Sequence, residues 1–183
     1  PFAWLTERNE RTLVTCPLRW EGEMCRMNMA VFRQRIKGCK LFILCNPHNP
    51  GGVVWQEEEL QEVARICHDE GVLVFSDEIH ADLTLPPYRH RPFAMISEEA
   101  RMNSVTFMSP SKAFNMPGLS ASHAIIPNPE LRARFRKFMD ACELDLGHAF
   151  AFLAVEAAYS NGTEWLEQCL AYIQGNVDYM DEY

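Results

Sequence analysis

The sequence predicts an α/β protein in which helices cover a mostly parallel sheet. Short apolar runs rich in β-branched and aromatic residues alternate along the chain with segments of helical spacing. The runs occupy residues 11–16, 40–45, 71–76, 104–109 and 122–127. They are continuous rather than alternating, which is typical of strands buried on both faces. With 183 residues, 48% of them hydrophobic, the chain can bury one full core.

The segments between these runs have the end signals of helices. Residues 56–71 keep their apolar side chains on one face and end at Gly71, so they predict a crossover helix between two parallel strands. Residues 128–147 begin with Asn128 as an N-cap and Pro129 at the first helical position. The apolar faces predicted for this helix and for the last helix consist of Leu131, Phe135, Phe138 and Cys142, and of Leu166, Leu170, Ile173, Val177 and Met180.

Composition argues against several classes of function. Lys and Arg total 17 against 25 Asp and Glu, a net charge of −8, so no nucleic-acid partner is expected. The seven cysteines are scattered and form no C-x-x-C pair, which favours a reducing cytoplasm over a disulfide framework. Cys67 and His68 face different ways on a helix, and no metal site is predicted. The longest apolar stretch, 149–159, is interrupted by Glu156 and is too short to cross a membrane.

Polar residues follow three consecutive predicted strands. The loop "NPHNPGG" (46–52) contains Asn49, "DEIH" (77–80) contains Asp77 and His80, and "SPSK" (109–112) ends at Lys112. Ligands of parallel α/β sheets bind beyond the carboxyl ends of the strands, so we expect the three sets to lie at one edge. The loop "PPYRHRPF" (86–93) has two interpretations, a loop that lines the cleft and a solvent-exposed loop, of which the second is preferred.

Each of these sets has an ordinary structural interpretation when it is taken alone: a rigid turn, a capping carboxylate, a lysine that reaches solvent. Ser109 and Lys112 also fit the S-x-x-K of serine β-lactamases, but neither S-D-N nor K-T-G follows. Pyridoxal phosphate satisfies all three sets together. Its aldehyde suits the amine of Lys112, its protonated ring nitrogen suits Asp77, its phenolic oxygen suits Asn49, and its phosphate suits the two serines of "SPSK".

In order and spacing, "NPHNPGG", "SDEIHADL" and "SPSKAFNMPGL" resemble the motifs of fold-type I pyridoxal-phosphate enzymes, the class I/II aminotransferase superfamily. Within that superfamily, the closest resemblance is to the cystathionine β-lyase-like carbon–sulfur lyase branch, and it lies in "SDEIHADL", "SKAFNMPGLSASHAII" and "EAAYSNGTEWLEQCLAYIQGN". The resemblance implies that Lys112 carries the cofactor, that Asp77 pairs with the ring nitrogen, and that Asn49 and His80 bond the phenolic oxygen. It also implies that Ser109 and Ser111 hold the phosphate.

The resemblance further implies an incomplete three-layer α/β/α large domain over residues 1–150, followed by helices in 151–183 that lead toward an absent small domain. The first residue is not methionine and the last helical pattern has no stop signal, so we expect a central fragment of a longer chain. A homodimer with an amino-acid substrate is implied. The expected activity is β-elimination from a sulfur amino acid such as cystathionine. The alternatives are an aminotransferase and a non-catalytic truncated domain.

One position separates the first two activities. Many aminotransferases have an arginine eight residues beyond the cofactor lysine, where it pairs with the phosphate; this chain has Ser120 there. The lyase branch also tends to lack that arginine. Ser120 therefore favours the lyase over the aminotransferase.

Overall fold

A computed structural model describes residues 1–144 and 147–182, which form a four-stranded sheet, a separate hairpin and helices. The strands are Arg19–Glu21 (β1), Met24–Arg26 (β2), Leu41–Cys45 (β3), Leu73–Asp77 (β4), Ser104–Met108 (β5) and His123–Ile125 (β6). The α-helices are Phe2–Arg8 (α1), Met29–Arg35 (α2), Glu57–Asp69 (α3), Glu98–Met102 (α4), Pro129–Ala141 (α5), Ala149–Asn161 (α6) and Thr163–Asp181 (α7). Short 3-10 helices occupy 81–83, 93–95 and 117–119.

The main sheet has the strand order β3-β4-β5-β6, and its first three strands are parallel. Strand β6 returns antiparallel to β5. Four of the five predicted strands are confirmed, as is the mostly parallel sheet. The expectation of burial on both faces is wrong for β6, whose three residues are all exposed. As an edge strand it has a neighbour on one side only.

The predicted strand at residues 11–16 is wrong. These residues have no regular structure, and Leu13 and Val14 are exposed. An apolar run becomes a strand only where a neighbouring strand takes its backbone hydrogen bonds, and none of the described strands pairs with it. The short hairpin of β1 and β2, which follows, was not predicted. Its two-residue loop begins with Gly22 at a φ of 62°, a value that favours glycine.

Helix α3 covers one face of the sheet. Its buried residues include Leu60, Val63, Ala64 and Cys67, as predicted, and they pack in one core with Val74 of β4. Gln56 and Glu59 form a capping box at its start. Gly71 adopts a φ of 64° just beyond its end, so the predicted glycine stop is confirmed.

Helix α5 covers the opposite face, which gives the three layers of the predicted α/β fold. Successive strand residues point to opposite faces of the sheet, so the Phe75 side chain lies on the other face from that of Val74. Phe75 contacts Phe107 with ring centroids 5.3 Å apart, and Phe107 contacts Phe135 of α5 at 6.2 Å. The predicted cap is confirmed, because the Asn128 side chain accepts hydrogen bonds from the backbone of residues 130 and 131.

Some residues of the apolar faces predicted for α5 and α7 are exposed to solvent. Phe138 is 61% exposed, and Cys142 lies just beyond the end of α5. Residues 145 and 146, inside the predicted extent of this helix, lie outside the described residues. On α7, Met180 is 65% exposed, whereas Leu166, Leu170, Ile173 and Val177 are half-buried. No helix in the described part of the chain is both long and apolar enough to cross a membrane.

Candidate active site at the carboxyl edge of the sheet

The three predicted polar sets leave the same edge of the sheet. Strands β3, β4 and β5 are parallel neighbours, so their last residues, Cys45, Asp77 and Met108, end at the same edge. The loop with Asn49, the segment with His80 and the loop with Lys112 begin there. The expectation from strand order is therefore confirmed at the level of the fold.

The loop after β3 is a rigid frame. The His48 N–H donates to the Val53 carbonyl (2.7 Å), and the His48 carbonyl accepts from the N–H of Gly52 (2.9 Å). The Gly51 N–H donates to Nδ1 of His48 (3.2 Å). A Cβ at residue 51 would lie 2.5 Å from that same nitrogen, so only glycine fits. Burial lowers the pKa of His48, which keeps the ring neutral and able to accept this bond.

This frame brings Asn49 against His80. The amide nitrogen of Asn49 lies 3.5 Å from Nε2 of His80. An amide nitrogen only donates, so the contact is a hydrogen bond in the tautomer of His80 that leaves Nε2 unprotonated. Both residues line a cleft of about 480 Å³. Its lining also includes Val53, Leu83, Thr84, Leu85 and Tyr88.

Asp77 ends β4 beside β3. It pairs with Cys45 in register, and its Oδ1 accepts a hydrogen bond from the Ile79 N–H (3.2 Å). Its second carboxylate oxygen has no hydrogen-bond donor among the described residues and can accept from a ligand. Burial raises the pKa of the neighbouring Cys45 thiol, with a smaller contribution from the Asp77 charge. The thiol is therefore a neutral neighbour of this carboxylate.

The loop after β5 contains Ser109, Ser111 and Lys112. Ser109 is buried; its hydroxyl donates to the Ala121 carbonyl and lies 2.9 Å from the Ser111 hydroxyl. The Ser111 N–H donates to the same Ser109 oxygen (3.1 Å). The hydroxyl of Ser109 is thus largely used inside the loop. Lys112 is exposed, and its amine makes no hydrogen bond or ion pair with the described residues.

The six predicted site residues therefore share one edge but form two groups in direct contact. Asn49 meets His80 at the cleft, and Ser109 meets Ser111 beside Lys112. Neither Asp77 nor the serine loop lines the 480 Å³ cleft. Within residues 1–144 and 147–182, no group of three His, Cys, Asp or Glu side chains could hold a metal ion.

Sequence reasoning missed three buried polar residues behind the site: Asn46, Glu78 and His90. Asn46 is fully buried; its N–H donates to the Asp77 carbonyl (3.0 Å), and its amide nitrogen donates to the Arg91 carbonyl (3.4 Å). The Glu78 carboxylate contacts His90 at 2.6 Å. The loop 86–93, which was predicted to be exposed, is thus held on its inner side by the contacts of Asn46 with Arg91 and of Glu78 with His90. Strand alternation offered the one signal, since it turns Glu78 toward the same face as Ser76.

Known proteins identify the family. The model for aminotransferase class I and II matches residues 5–182. The chain belongs to this family. Cystathionine β-lyase PatB of Bacillus subtilis is 40% identical over 180 residues, which are 97% of this chain and 46% of the relative. The chain thus spans less than half the length of that relative.

Two solved structures have the same fold. A pyridoxal-phosphate-bound putative aminotransferase from Clostridium difficile 630 has a TM-score of 0.97 and 38% identity, covering 100% of this chain and 48% of the other. Cystalysin from Treponema denticola, whose structure contains pyridoxal 5'-phosphate, has a TM-score of 0.93 and 33% identity, with coverages of 100% and 47%. The chain therefore has the fold of these pyridoxal-phosphate enzymes, and the predicted fold class and family are confirmed.

Proposed function

We propose that this chain contributes the cofactor-holding part of a pyridoxal-phosphate-dependent carbon–sulfur β-lyase. The observation that carries the proposal is the edge shared by β3, β4 and β5, which collects a free amine, a carboxylate and an amide–imidazole pair. By chemical type, the amine matches the cofactor aldehyde, the carboxylate its protonated ring nitrogen, and the amide–imidazole pair its phenolic oxygen. When bound, pyridoxal phosphate supplies an electron sink that makes the α proton of an amino acid acidic.

The side chains divide the remaining work. Lys112, which has no partner among the described residues, is free to bind the cofactor aldehyde and then to take the α proton of the substrate. Asp77 has one oxygen held by Ile79 and would offer the other to the protonated ring nitrogen. Asn49 and His80 would hold the phenolic oxygen. Ser111 would bind the phosphate, and Ser109 would hold the loop in shape.

The choice of lyase rests on two supports. PatB, 40% identical to this chain, is named a cystathionine β-lyase. Ser120 stands where many aminotransferases have a phosphate-binding arginine. We propose that a sulfur amino acid such as cystathionine loses its Cβ thiol after deprotonation, and that water then releases pyruvate and ammonia. An aminotransferase is the second candidate, favoured by the name of the Clostridium difficile structure.

Three further proposals concern the whole protein. We propose that residues 1–150 belong to the large domain, that α6 and α7 lead toward a small domain, and that the protein is a cytoplasmic homodimer. Exposed apolar side chains on α6, among them Phe150, Phe152 and Leu153, are compatible with a covered surface in the dimer. Sedimentation of the purified protein tests the dimer directly.

A titration with pyridoxal phosphate tests the proposed cofactor role. The wild-type protein should develop an absorbance band, and borohydride should fix the cofactor to the peptide containing Lys112. Lys112→Ala should lose both signals, and Lys137→Ala, on helix α5, should keep them. If cofactor attaches elsewhere or to neither protein, the lysine assignment is wrong and the non-catalytic alternative gains support.

The reaction is then assigned from products. A lyase should release pyruvate and thiol from cystathionine without any keto acid acceptor. An aminotransferase should convert at most one equivalent of a sulfur amino acid per bound cofactor until 2-oxoglutarate is added, and should then form glutamate with turnover. Transamination alone would overturn the lyase proposal and leave the cofactor assignment intact.

A further inference from the structure

Glu78 is a fully buried carboxylate next to Asp77. Its side chain is 0% exposed, and its Oε1 accepts hydrogen bonds from the Ser76 hydroxyl (2.8 Å) and the Phe93 N–H (2.9 Å). Its Oε2 lies 2.6 Å from Nε2 of His90. A buried carboxylate is costly without donors, and here both oxygens are satisfied. None of the proposed cofactor contacts uses this residue.

His90 is the far end of this contact. Its side chain is 9% exposed, and because Oε2 accepts, Nε2 must donate. Its Nδ1 is buried without a hydrogen-bond partner in the described part of the chain. The ring therefore depends on Glu78 alone for its polar contact. Losing this bond would leave two buried polar groups unpaired.

The contact closes the loop that forms one wall of the cleft. This loop, residues 79–89 between Glu78 and His90, supplies Leu83, Thr84, Leu85 and Tyr88 to the lining of the cleft, which Asn49 and Val53 also line. Other polar contacts also hold this loop: the Thr84 hydroxyl donates to the Ala81 carbonyl (2.9 Å), the Tyr88 N–H donates to the Leu85 carbonyl (3.1 Å), Asn46 donates to the Arg91 carbonyl (3.4 Å), and the exposed Arg91 side chain pairs with Glu57 (3.4 Å). The Glu78–His90 contact, at 2.6 Å, is the shortest of these and joins the two ends of the wall.

We propose that Glu78 and His90 are positioning residues that set the width of this cleft and thereby the affinity for the side chain of the amino-acid substrate. The pair acts through the loop and touches neither the cofactor nor the reacting atoms. This inference rests on the proposed function, because it takes the cleft beside Asn49 and His80 to admit substrate.

Substitutions of His90 test the pair in the cofactor-loaded protein. His90→Phe keeps the ring shape and removes the donor, whereas the side-chain amide of His90→Gln can still donate to Glu78. For His90→Phe we expect KM for cystathionine to rise about tenfold with kcat within about twofold, and the cofactor absorbance to stay unchanged. His90→Gln should restore KM to within about threefold of wild type. Arg89→Ala, in the same loop, should have the wild-type KM.

Hydrogen exchange of the amides in residues 83–90 provides a readout that needs no substrate. Exchange should accelerate about tenfold in His90→Phe and stay near wild type in His90→Gln. Equal KM values in all variants, or a fall in kcat together with cofactor loss, would overturn the positioning role. If wild type turns over no amino acid, the proposed function fails, and unchanged exchange in His90→Phe would independently refute the anchor. If His90→Phe does not fold, Glu78→Gln provides the same comparison.

Discussion

Phe114 stacks on Trp165, with ring centroids 5.9 Å apart and an interplanar angle of 28°. The same ring meets Tyr159 edge-on, also at 5.9 Å. Phe114 lies two residues after Lys112, and its N–H donates to the Pro110 carbonyl (2.9 Å), so the lysine sits in a turn attached to α6 and α7. The aromatic contacts of Phe114 thus anchor the backbone turn that carries Lys112, while the amine of this lysine stays exposed.

Phe114→Ala should loosen this turn. Loss of two aromatic contacts and of part of the apolar burial should lower the free energy of unfolding by about 2 kcal/mol, and attachment of the cofactor to Lys112 should weaken. Urea denaturation and a pyridoxal-phosphate titration measure the two effects. Phe138→Ala, an exposed ring on α5, is the matched control and should change neither. Unaltered cofactor affinity in Phe114→Ala would separate the anchor from the site.

Substitution by alanine should change the stability with opposite signs at Gly162, between α6 and α7, and at Gly175, inside α7. At Gly162 a Cβ would lie 2.4 Å from the Ala158 carbonyl oxygen and 2.5 Å from the Phe114 ring. At Gly175, inside α7, it would meet nothing within 4 Å. Gly162→Ala should therefore destabilise the protein, and Gly175→Ala should stabilise it by about 0.5–1 kcal/mol through helix propensity. Thermal melting of both variants decides; destabilisation by Gly175→Ala would contradict the open space at that position.

The sequence predicted the parts of this molecule that depend on local pattern. The continuous apolar runs predicted β3, β4 and β5, and strand order alone placed Asn49, Asp77 and Lys112 at one edge. Residues 11–16 also contain a short run with apolar and β-branched residues, but a strand needs a partner strand, which the sequence of one run does not show. Contacts between distant segments, such as Glu78 with His90, could not be predicted, because the sequence of a loop does not show which of its side chains point toward the core.

Asn46→Ala should destabilise the edge that holds the site. The fully buried Asn46 side chain donates to the Arg91 carbonyl and accepts from the Trp55 N–H, both at 3.4 Å. Two backbone groups would lose a partner, at a cost of about 1–3 kcal/mol each. Urea denaturation should show the loss. Asn9→Ala, at the C-cap of α1, where the exposed amide donates to the Leu5 carbonyl, should fall within about 0.5 kcal/mol of wild type. Similar values for both variants would mean that water replaces the lost bonds at residue 46.

Cys67 should make the stability of the protein depend on alkaline pH. Burial, with a smaller contribution from Cys39, raises the pKa of the Cys67 thiol from 9.0 to about 12. In the unfolded chain this thiol ionises above pH 9, whereas in the folded chain it stays protonated up to about pH 12. The unfolded state therefore binds fewer protons in this window, and the contribution of the thiol to stability, fully present below pH 9, is lost as pH rises.

Above pH 9, this one thiol should lower the free energy of unfolding by about 1.4 kcal/mol per pH unit. Other groups titrate in the same range, so the measurement is the difference between wild type and Cys67→Ala in urea unfolding at pH 8 to 10.5. Cys67→Ala should start lower, because it leaves a cavity beside Leu60 and Val63 in the core, and should then lose less stability as pH rises. Parallel curves would show that Cys67 does not stay protonated in the folded protein.

Cys142, which is exposed, should react with a thiol reagent in the folded protein, and Cys67 should react only after unfolding.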